Sequence, residues 1–134
     1  MEALFELKNP KPFDAELFGI MKETALALIK GAEKNPYSQA IVLQTARGQE
    51  YAVWVRDALS DSLEIEKMLS QMLQEQDVEI HHVLCLWQDG GLDLPSYAFR
   101  KRLLDFSPLN SEAGIFVKTA SGISVIGLGS TMRG

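Results

Sequence analysis

A run of five apolar residues, Val83-Leu84-Cys85-Leu86-Trp87, limits the folds open to this chain more than any other feature. Side chains of a strand alternate between two faces, so a strand that is apolar at every position has to be covered on both. The run completes a strand-forming segment from Val78 to Trp87. We therefore expect this segment in the middle of a sheet, with other elements packed against each face.

The chain length is typical of one domain. A single hydrophobic core stays efficient up to roughly 250 residues, and this chain has 134. We expect one domain over residues 14–134. Pro10 and Pro12 are unsuited to a helix interior, so residues 1–13 are predicted to form an extended lead-in.

Three segments repeat apolar residues at helical spacing. The first runs from Asp14, a plausible N-cap, to Lys34, and Asn35-Pro36 ends it. The second runs from about Ser60 to Gln76, with Asp61 and Glu64 spaced as in a capping box. A short third helix has Pro95 in its first turn, is closed by Ser107-Pro108, and presents one apolar face, formed by Phe99, Leu103 and Phe106.

Two pairs of segments rich in β-forming residues flank glycine-bearing turns. Gln39 to Thr45 and Glu50 to Arg56 form a hairpin around Gly48, and Gly114 to Thr119 pairs with Ile123 to Leu128. The element order is therefore α-β-β-α-β-α-β-β. A hairpin followed by a helix and a doubly covered strand implies a right-handed crossover and an α/β helix–sheet–helix sandwich.

Composition and missing motifs exclude several functional classes. Thirteen Lys and Arg against eighteen Asp and Glu give a net charge of −5, which opposes general nucleic-acid binding. The single cysteine, Cys85, excludes an internal disulfide and a cysteine-rich zinc site. No apolar run is long enough to span a membrane and no signal-peptide pattern precedes Pro12, so a cytoplasmic location is expected. Phosphate-loop, zinc-protease and serine-hydrolase motifs are absent from the sequence.

Pro36-Tyr37-Ser38 follows the first predicted helix, and Gly48 and Tyr51 lie in the hairpin after it. Taken in order over Leu17 to Leu128, these strings resemble the cytidine deaminases and their wider superfamily. Members of that family carry a Pro-Tyr-Ser turn and a glycine-containing hairpin at these places. The resemblance implies a three-layer sandwich around a mixed five-stranded sheet, and a homodimer or homotetramer as the working form.

The two zinc-binding motifs of that family are altered in this chain. Where the family has Cys or His, then Ala and Glu, this chain reads Ser62-Leu63-Glu64. Where it has Pro-Cys-x-x-Cys-Arg-Gln, this chain reads Pro95-Ser96-Tyr97-Ala98-Phe99-Arg100-Lys101. The Glu, Pro and Arg are kept, but the three zinc-ligand positions hold Ser62, Ser96 and Phe99. The segment Tyr51 to Asp57 also lacks the family's ribose-binding Asn and Glu.

These substitutions argue against zinc chemistry. Deaminases of this type use three protein ligands to hold the Zn²⁺ that activates a water. Hydroxyls ligate zinc poorly and a phenyl ring cannot ligate it. We therefore expect no metal, no cofactor and no zinc-dependent deamination.

Three functional hypotheses follow. The first is a catalytically inactive homo-oligomer with a binding, regulatory or assembly role, whose ligand contacts are Pro95, Ser96, Phe99 and Arg100. The second is a metal-independent enzyme or nucleobase-binding protein that uses Ser62, Glu64 and Ser96 in the remnant pocket. The third is a module that binds a protein partner, as an inhibitor or immunity factor does, consistent with the acidic surface.

Other candidate residues have simpler interpretations. His81 and His82 are adjacent in a strand, so they point to opposite faces, His82 sharing its face with Ile80 and Leu84. Cys85 is expected to be a buried small hydrophobe. Arg100, Lys101 and Arg102 form either a solvated face or a contact with an anion or partner. Asp57, Asp61 and Glu64 suit a helix N-terminus, and Trp54 and Trp87 suit a core or an interface.

Overall fold

A computed structural model describes residues 12–33, 35–58 and 63–132. Its helices are α1 (Ala15–Gly31), α2 (Leu63–Gln74) and α3 (Tyr97–Phe106). Its strands are β1 (Gln39–Thr45), β2 (Glu50–Val55), β3 (Ile80–Trp87), β4 (Gly114–Thr119) and β5 (Gly122–Gly127). Two 3₁₀ helices, Pro108–Glu112 and Gly129–Met132, complete the described chain. The predicted order of helices and strands is confirmed.

The strands form one mixed five-stranded sheet in the order β2-β1-β3-β4-β5. β1 pairs antiparallel with both β2 and β3, so β2 and β3 run in the same direction with α2 crossing between them. β3 and β4 are parallel and are joined through α3. The fold class predicted from the sequence, an α/β sandwich with a mixed sheet, is confirmed.

The central strand is buried as its composition predicts. Val83, Leu84, Cys85 and Leu86 are each at most 1% exposed, and only Trp87 at the strand end is half-buried. Side chains alternate along each strand between a face that packs against α2 and α3 and a face that packs against α1. The first face includes Ile41, Leu43, Val53, Val83, Cys85, Ile115 and Val117, and the second includes Ala40, Val42, Leu84, Leu86, Phe116 and Val125.

Local signals set most element ends. Asp14 is the N-cap of α1, and its carboxylate accepts a hydrogen bond from the Leu17 amide at 3.0 Å. Gly48 adopts a φ of +81° in the β1–β2 turn, a conformation that favours glycine. α1 ends at Gly31, because Ala32 is already extended. This is earlier than the predicted Lys34, which lies outside the described residues.

Two expectations need correction. Pro95 does not lie in the first turn of α3: Ser96 is the N-cap, so Pro95 precedes the helix. Ile80 does not share a face with His82. It packs with Val83 and Cys85, because the β1–β3 register shifts between Gln44 and Thr45. His82 stacks on Phe116 at 5.5 Å, on the α1 side.

Other expectations fall on residues outside the described part of the chain. These are the proposed cap Asp61, the predicted helix start at Ser60 and nearly all of the extended lead-in.

A buried asparagine joins three elements. Asn110, in the first 3₁₀ helix, is fully buried. Its Oδ1 accepts from the Ile80 amide at 2.8 Å, and its Nδ2 donates to the carbonyls of Leu103 and Val78 at 2.8 and 3.1 Å. It therefore satisfies main-chain groups at the start of β3 and near the end of α3.

Replacing Asn110 with alanine should destabilise the fold by about 3 kcal/mol, because it leaves buried main-chain groups without partners. Asn110→Asp should be destabilising as well, since a carboxylate cannot donate to the two carbonyls. Urea unfolding measures both. The exposed neighbour provides the control, and Leu109→Ala should change stability by less than about 0.5 kcal/mol. An Asn110→Ala variant of unchanged stability would contradict this account.

Candidate functional site

The sheet topology places the loops that precede α2 and α3 at one edge of the sheet. Because β2 and β3 run in the same direction, their carboxyl ends, Val55 and Trp87, lie at the same edge of the sheet. The loops that lead to α2 and α3 start there, and the turn before β1 joins them. In open α/β sheets, ligands bind in the crevice outside the carboxyl ends of the strands. This edge is therefore the place to look for a site.

The Pro36-Tyr37-Ser38 turn is fixed by side-chain hydrogen bonds. Ser38 is fully buried, and its hydroxyl donates to the Arg56 carbonyl at 2.6 Å. The Asn35 side chain donates to the same carbonyl at 3.0 Å and accepts from the Tyr37 amide at 2.8 Å. These bonds hold the start of β1 against the end of β2. The Tyr37 side chain is left 50% exposed at the edge.

The loop after β3 is closed on itself around Trp87. The Trp87 amide donates to the Gly91 carbonyl at 2.8 Å, and Gly90 takes a φ of +89° to make the turn. The indole Nε1 donates to Asp93 Oδ2 at 3.0 Å, and the Leu94 amide donates to Asp93 Oδ1 at 2.7 Å. Asp93 therefore orients the indole ring and ties the loop to the segment before α3.

The turn and the loop enclose an open cavity of about 370 Å³. It combines the rings of Tyr37 and Trp87 with the carboxylates of Asp89 and Asp93. Aromatic faces bind flat rings by stacking, and carboxylates accept hydrogen bonds from amino groups. The cavity has the chemistry to hold a small planar molecule that carries N–H donors. The sequence analysis did not assign these residues to a site; the Pro-Tyr-Ser string and the glycines at positions 90 and 91 are the local signals that could have indicated one.

Ser96 and Phe99 have structural partners at the start of α3. The Ser96 hydroxyl accepts the Phe99 amide at 3.2 Å as the N-cap. Phe99 is 3% exposed, and its ring packs in the core between the sheet and α2 and α3. These contacts leave the two residues with roles in helix capping and core packing.

Arg100 links α3 to the end of the described chain. Its Nε donates to the Pro95 carbonyl and its Nη1 to the Thr131 carbonyl, each at 3.0 Å. The guanidinium also lies 5.8 Å from the Tyr97 ring centroid. Partial burial lowers the pKa of Arg100, and the nearby Asp93 charge and Tyr97 oppose that shift. Pro95, Ser96, Phe99 and Arg100 are thus neighbours, held together by helix-start contacts.

Glu64 lies in the first turn of α2. It is exposed and lines the groove between α2 and β2 together with Lys67 and Gln71. Ser62 lies outside the described residues. The remnant pocket of Ser62, Glu64 and Ser96 stays a prediction, because only Glu64 and Ser96 are described.

The three consecutive basic residues have three different partners. Arg100 binds carbonyls, Lys101 lies 3.7 Å from Asp105, and Arg102 makes a bidentate contact with Glu66 at 2.7 and 3.1 Å.

The residues at the start of α3 offer few groups that could ligate a metal. Within residues 12–33, 35–58 and 63–132, no three His, Cys, Asp or Glu side chains are grouped to hold a metal. The Phe99 ring offers no donor, and the Ser96 hydroxyl is engaged as a cap. Cys85 is fully buried, and burial raises the pKa of its thiol, as does the Asp93 charge to a lesser degree. This thiol stays protonated at neutral pH.

A second polar cluster, which the sequence analysis missed, surrounds Tyr51 at the opposite end of β2. The Tyr51 hydroxyl donates to Glu75 Oε1 at 2.6 Å and lies 3.3 Å from Asp77 Oδ2. Thr45 Oγ1 donates to Asp77 at 3.0 Å. The hydrogen bond to Glu75 is the main reason that the pKa of Tyr51 is raised, and it lowers the pKa of Glu75.

Comparisons with known proteins agree with this architecture. No family model and no curated protein matches the chain. Among solved structures, the cytidine deaminase of Mycobacterium leprae aligns with a TM-score of 0.63 and 15% identity, over 87% of this chain and 98% of that one. That of Mycobacterium tuberculosis aligns with a TM-score of 0.62 and 16% identity, over 85% and 92%.

The cytidine deaminase of Burkholderia pseudomallei aligns with a TM-score of 0.59 and 16% identity, over 84% of this chain and 93% of that chain. At sequence identities this low, the alignments show similarity of fold alone. The chain therefore has a cytidine deaminase-like fold, as the sequence resemblance predicts. None of the helices in the described residues is long and apolar enough to cross a membrane.

Arg100→Ala should destabilise the protein by about 2 kcal/mol, because it removes two charge-assisted hydrogen bonds that connect α3 to Pro95 and Thr131. The stability of Arg100→Lys should lie between that of Arg100→Ala and that of the wild type, since one ammonium group cannot reproduce both hydrogen bonds. Urea unfolding is the measurement. Lys101→Ala, which removes an exposed ion pair, is the control and should lose less than about 0.5 kcal/mol. Equal losses for the two alanine variants would refute this role.

Alkaline pH should destabilise the wild type partly through Tyr51. Its folded pKa is raised above the unfolded value of about 10, so its stabilisation is complete below pH 10. Above that pH the unfolded chain loses the proton first, and stability falls by up to about 1.4 kcal/mol per pH unit. Tyr51→Phe should be less stable at pH 8 and should lose less stability between pH 10 and 11. Urea unfolding of Tyr37→Phe, an exposed tyrosine, should show the wild-type slope; an unchanged slope in Tyr51→Phe would contradict the assignment.

Proposed function

We propose that this protein is a catalytically inactive member of the cytidine deaminase-like superfamily that works as a homo-oligomer in a binding or regulatory role. The observation that carries the proposal is the use of the α3 start for structure. The positions that correspond to zinc ligands in the resembled motif hold a capping hydroxyl, Ser96, and a core phenyl ring, Phe99. Neither can position a metal-activated water.

The binding role is supported by the cavity at the carboxyl ends of β2 and β3. Tyr37 is exposed there, and the Trp87 ring is held by Asp93. We propose as its ligand a small planar molecule with amino or amide N–H groups, the chemical class to which nucleobases belong. Cytosine should bind more tightly than uracil, because its exocyclic amino group can donate to the carboxylates of Asp89 or Asp93.

One set of measurements on the purified full chain tests both parts. Metal analysis should find substoichiometric zinc, and incubation with cytidine should give no uridine. In a thermal-shift assay, cytosine at ten times its Kd should stabilise the protein by about 1.4 kcal/mol, or ~5 °C. Tyr37→Ala should abolish the shift. Tyr97→Ala, an exposed tyrosine on α3, should retain it and is the matched control.

Stoichiometric zinc or cytidine turnover would refute the inactive-site part. If cytosine still raised the melting temperature of Tyr37→Ala, the ligand would bind outside this cavity. Turnover of a substrate without bound metal, if it is lost in Glu64→Gln, would instead favour the hypothesis of a metal-independent enzyme.

A further inference from the structure

β2 is an edge strand of the sheet, and no strand in the described part of the chain pairs with its outer side. The Thr45 amide donates to the Gln49 carbonyl at 2.9 Å, and hydrogen-bonded pairs alternate along an antiparallel ladder. Tyr51, Val53 and Val55 are therefore the residues of β2 that bond β1. The peptide groups of Glu50, Ala52 and Trp54 consequently point away from the sheet, where no other described strand pairs with them.

This edge lacks the features that usually block edge-to-edge pairing. β2 contains no proline and no lysine, and its ladder with β1 shows no bulge within the strand. Its central outward residue, Ala52, is exposed and small. Edge strands of natural proteins are normally protected from pairing unless the pairing is used.

Open grooves lie along this edge. One, of about 400 Å³, lies between β2 and α2, where Lys67 and Gln71 line it. The other, of about 470 Å³, runs along the outer edge of β2 and is lined by Ala32 and Glu33, which follow α1, and by Glu64 of α2. An added strand therefore has room for side chains beside β2.

The charges along β2 are complementary to a second copy of themselves. Glu50 is exposed near the start of the strand, and its Oε1 accepts from Thr24 of α1 at 2.6 Å, so it lies on the α1 face. Arg56 is exposed just past the strand end and, like Trp54, lines the second of these grooves. One edge thus carries an acidic end and a basic end on the same face.

A two-fold axis restricts how two such edges can pair. In an antiparallel pair, residues whose peptide groups point toward the partner strand lie opposite one another. Glu50, Ala52 and Trp54 of one copy must therefore lie opposite Glu50, Ala52, Trp54 or Arg56 of the other. When the two Val53 residues meet at the axis, Ala52 lies opposite Trp54, and Glu50 lies opposite Arg56. Axes through Ala52 or Trp54 leave Glu50 opposite an uncharged residue. The ladder ends at Arg56, because its carbonyl already accepts from Ser38 and Asn35.

We propose that β2 pairs antiparallel with β2 of a second copy of this chain, with Val53 at the two-fold axis, so that the two sheets become one continuous sheet. Two symmetric Glu50–Arg56 contacts set the register. The proposal rests on the assembly part of the proposed function and names its surface.

Charge reversal tests the register. Glu50→Lys and Arg56→Glu should each weaken the dimer at least ~10-fold, because every substitution turns two attractive pairs into two repulsive ones. The double variant Glu50→Lys/Arg56→Glu should restore wild-type dimerisation, since the pairs are then reversed. Analytical ultracentrifugation over a concentration series measures the dissociation constant. Glu23→Lys, which makes the same charge change on an exposed part of α1, is the control and should dimerise as the wild type does.

Two further experiments test the strand pairing without changing any charge. Ala52→Pro removes one outward N–H without touching the bonds to β1, and it should also weaken the dimer. Hydrogen exchange at the Ala52 and Trp54 amides should slow as the wild-type concentration rises.

An oligomer that is unaffected by Glu50→Lys, Arg56→Glu and Ala52→Pro would overturn this inference and leave the proposed function intact. A wild type that stays monomeric would overturn the inference together with the assembly part of that function. A monomeric wild type that pairs its edge with a foreign peptide would also overturn it.

Discussion

The burial of β3 on both faces is the constraint on which the rest of the structure depends. Val83, Leu84, Cys85 and Leu86 can leave water only if helices cover each side of the sheet, so α1 lies on one face and α2 and α3 lie on the other. Two separate apolar layers result, one on each face of the sheet. Asn110 and the N-caps satisfy the polar groups that this burial would otherwise strand.

Covering both faces also fixes where ligands can meet the protein. The chain crosses from β2 to β3 through α2, so both strands end at the same edge. Ser38 and Asn35 then hold the β1 turn against the β2 end, and Asp93 holds the loop after β3. The cavity between Tyr37 and Trp87 follows from these connections and requires no dedicated element.

The start of α3 is held by structural contacts. Ser96 caps the helix, and Phe99 fills the core. Arg100 ties the helix to Pro95 and Thr131. These residues therefore contribute to folding stability, whereas the cavity beside Tyr37 and Trp87 and the outer edge of β2 lie at the periphery of the described fold.

The sequence by itself determined the elements, their order and the buried central strand, because apolar periodicity and caps such as Asp14 act over a few residues. It also indicated that the hydroxyl of Ser96 and the phenyl ring of Phe99 are unsuited to ligate zinc, since residue type limits coordination chemistry wherever the residue lies. Only the tertiary structure decided that Tyr37, Trp87 and Asp93 share a cavity, that Glu64 and Ser96 face different neighbours, and that Ile80 and His82 lie on opposite faces. Those relations depend on strand register and on contacts between distant segments, such as the shift at Gln44 and Thr45, and local residue patterns do not encode them.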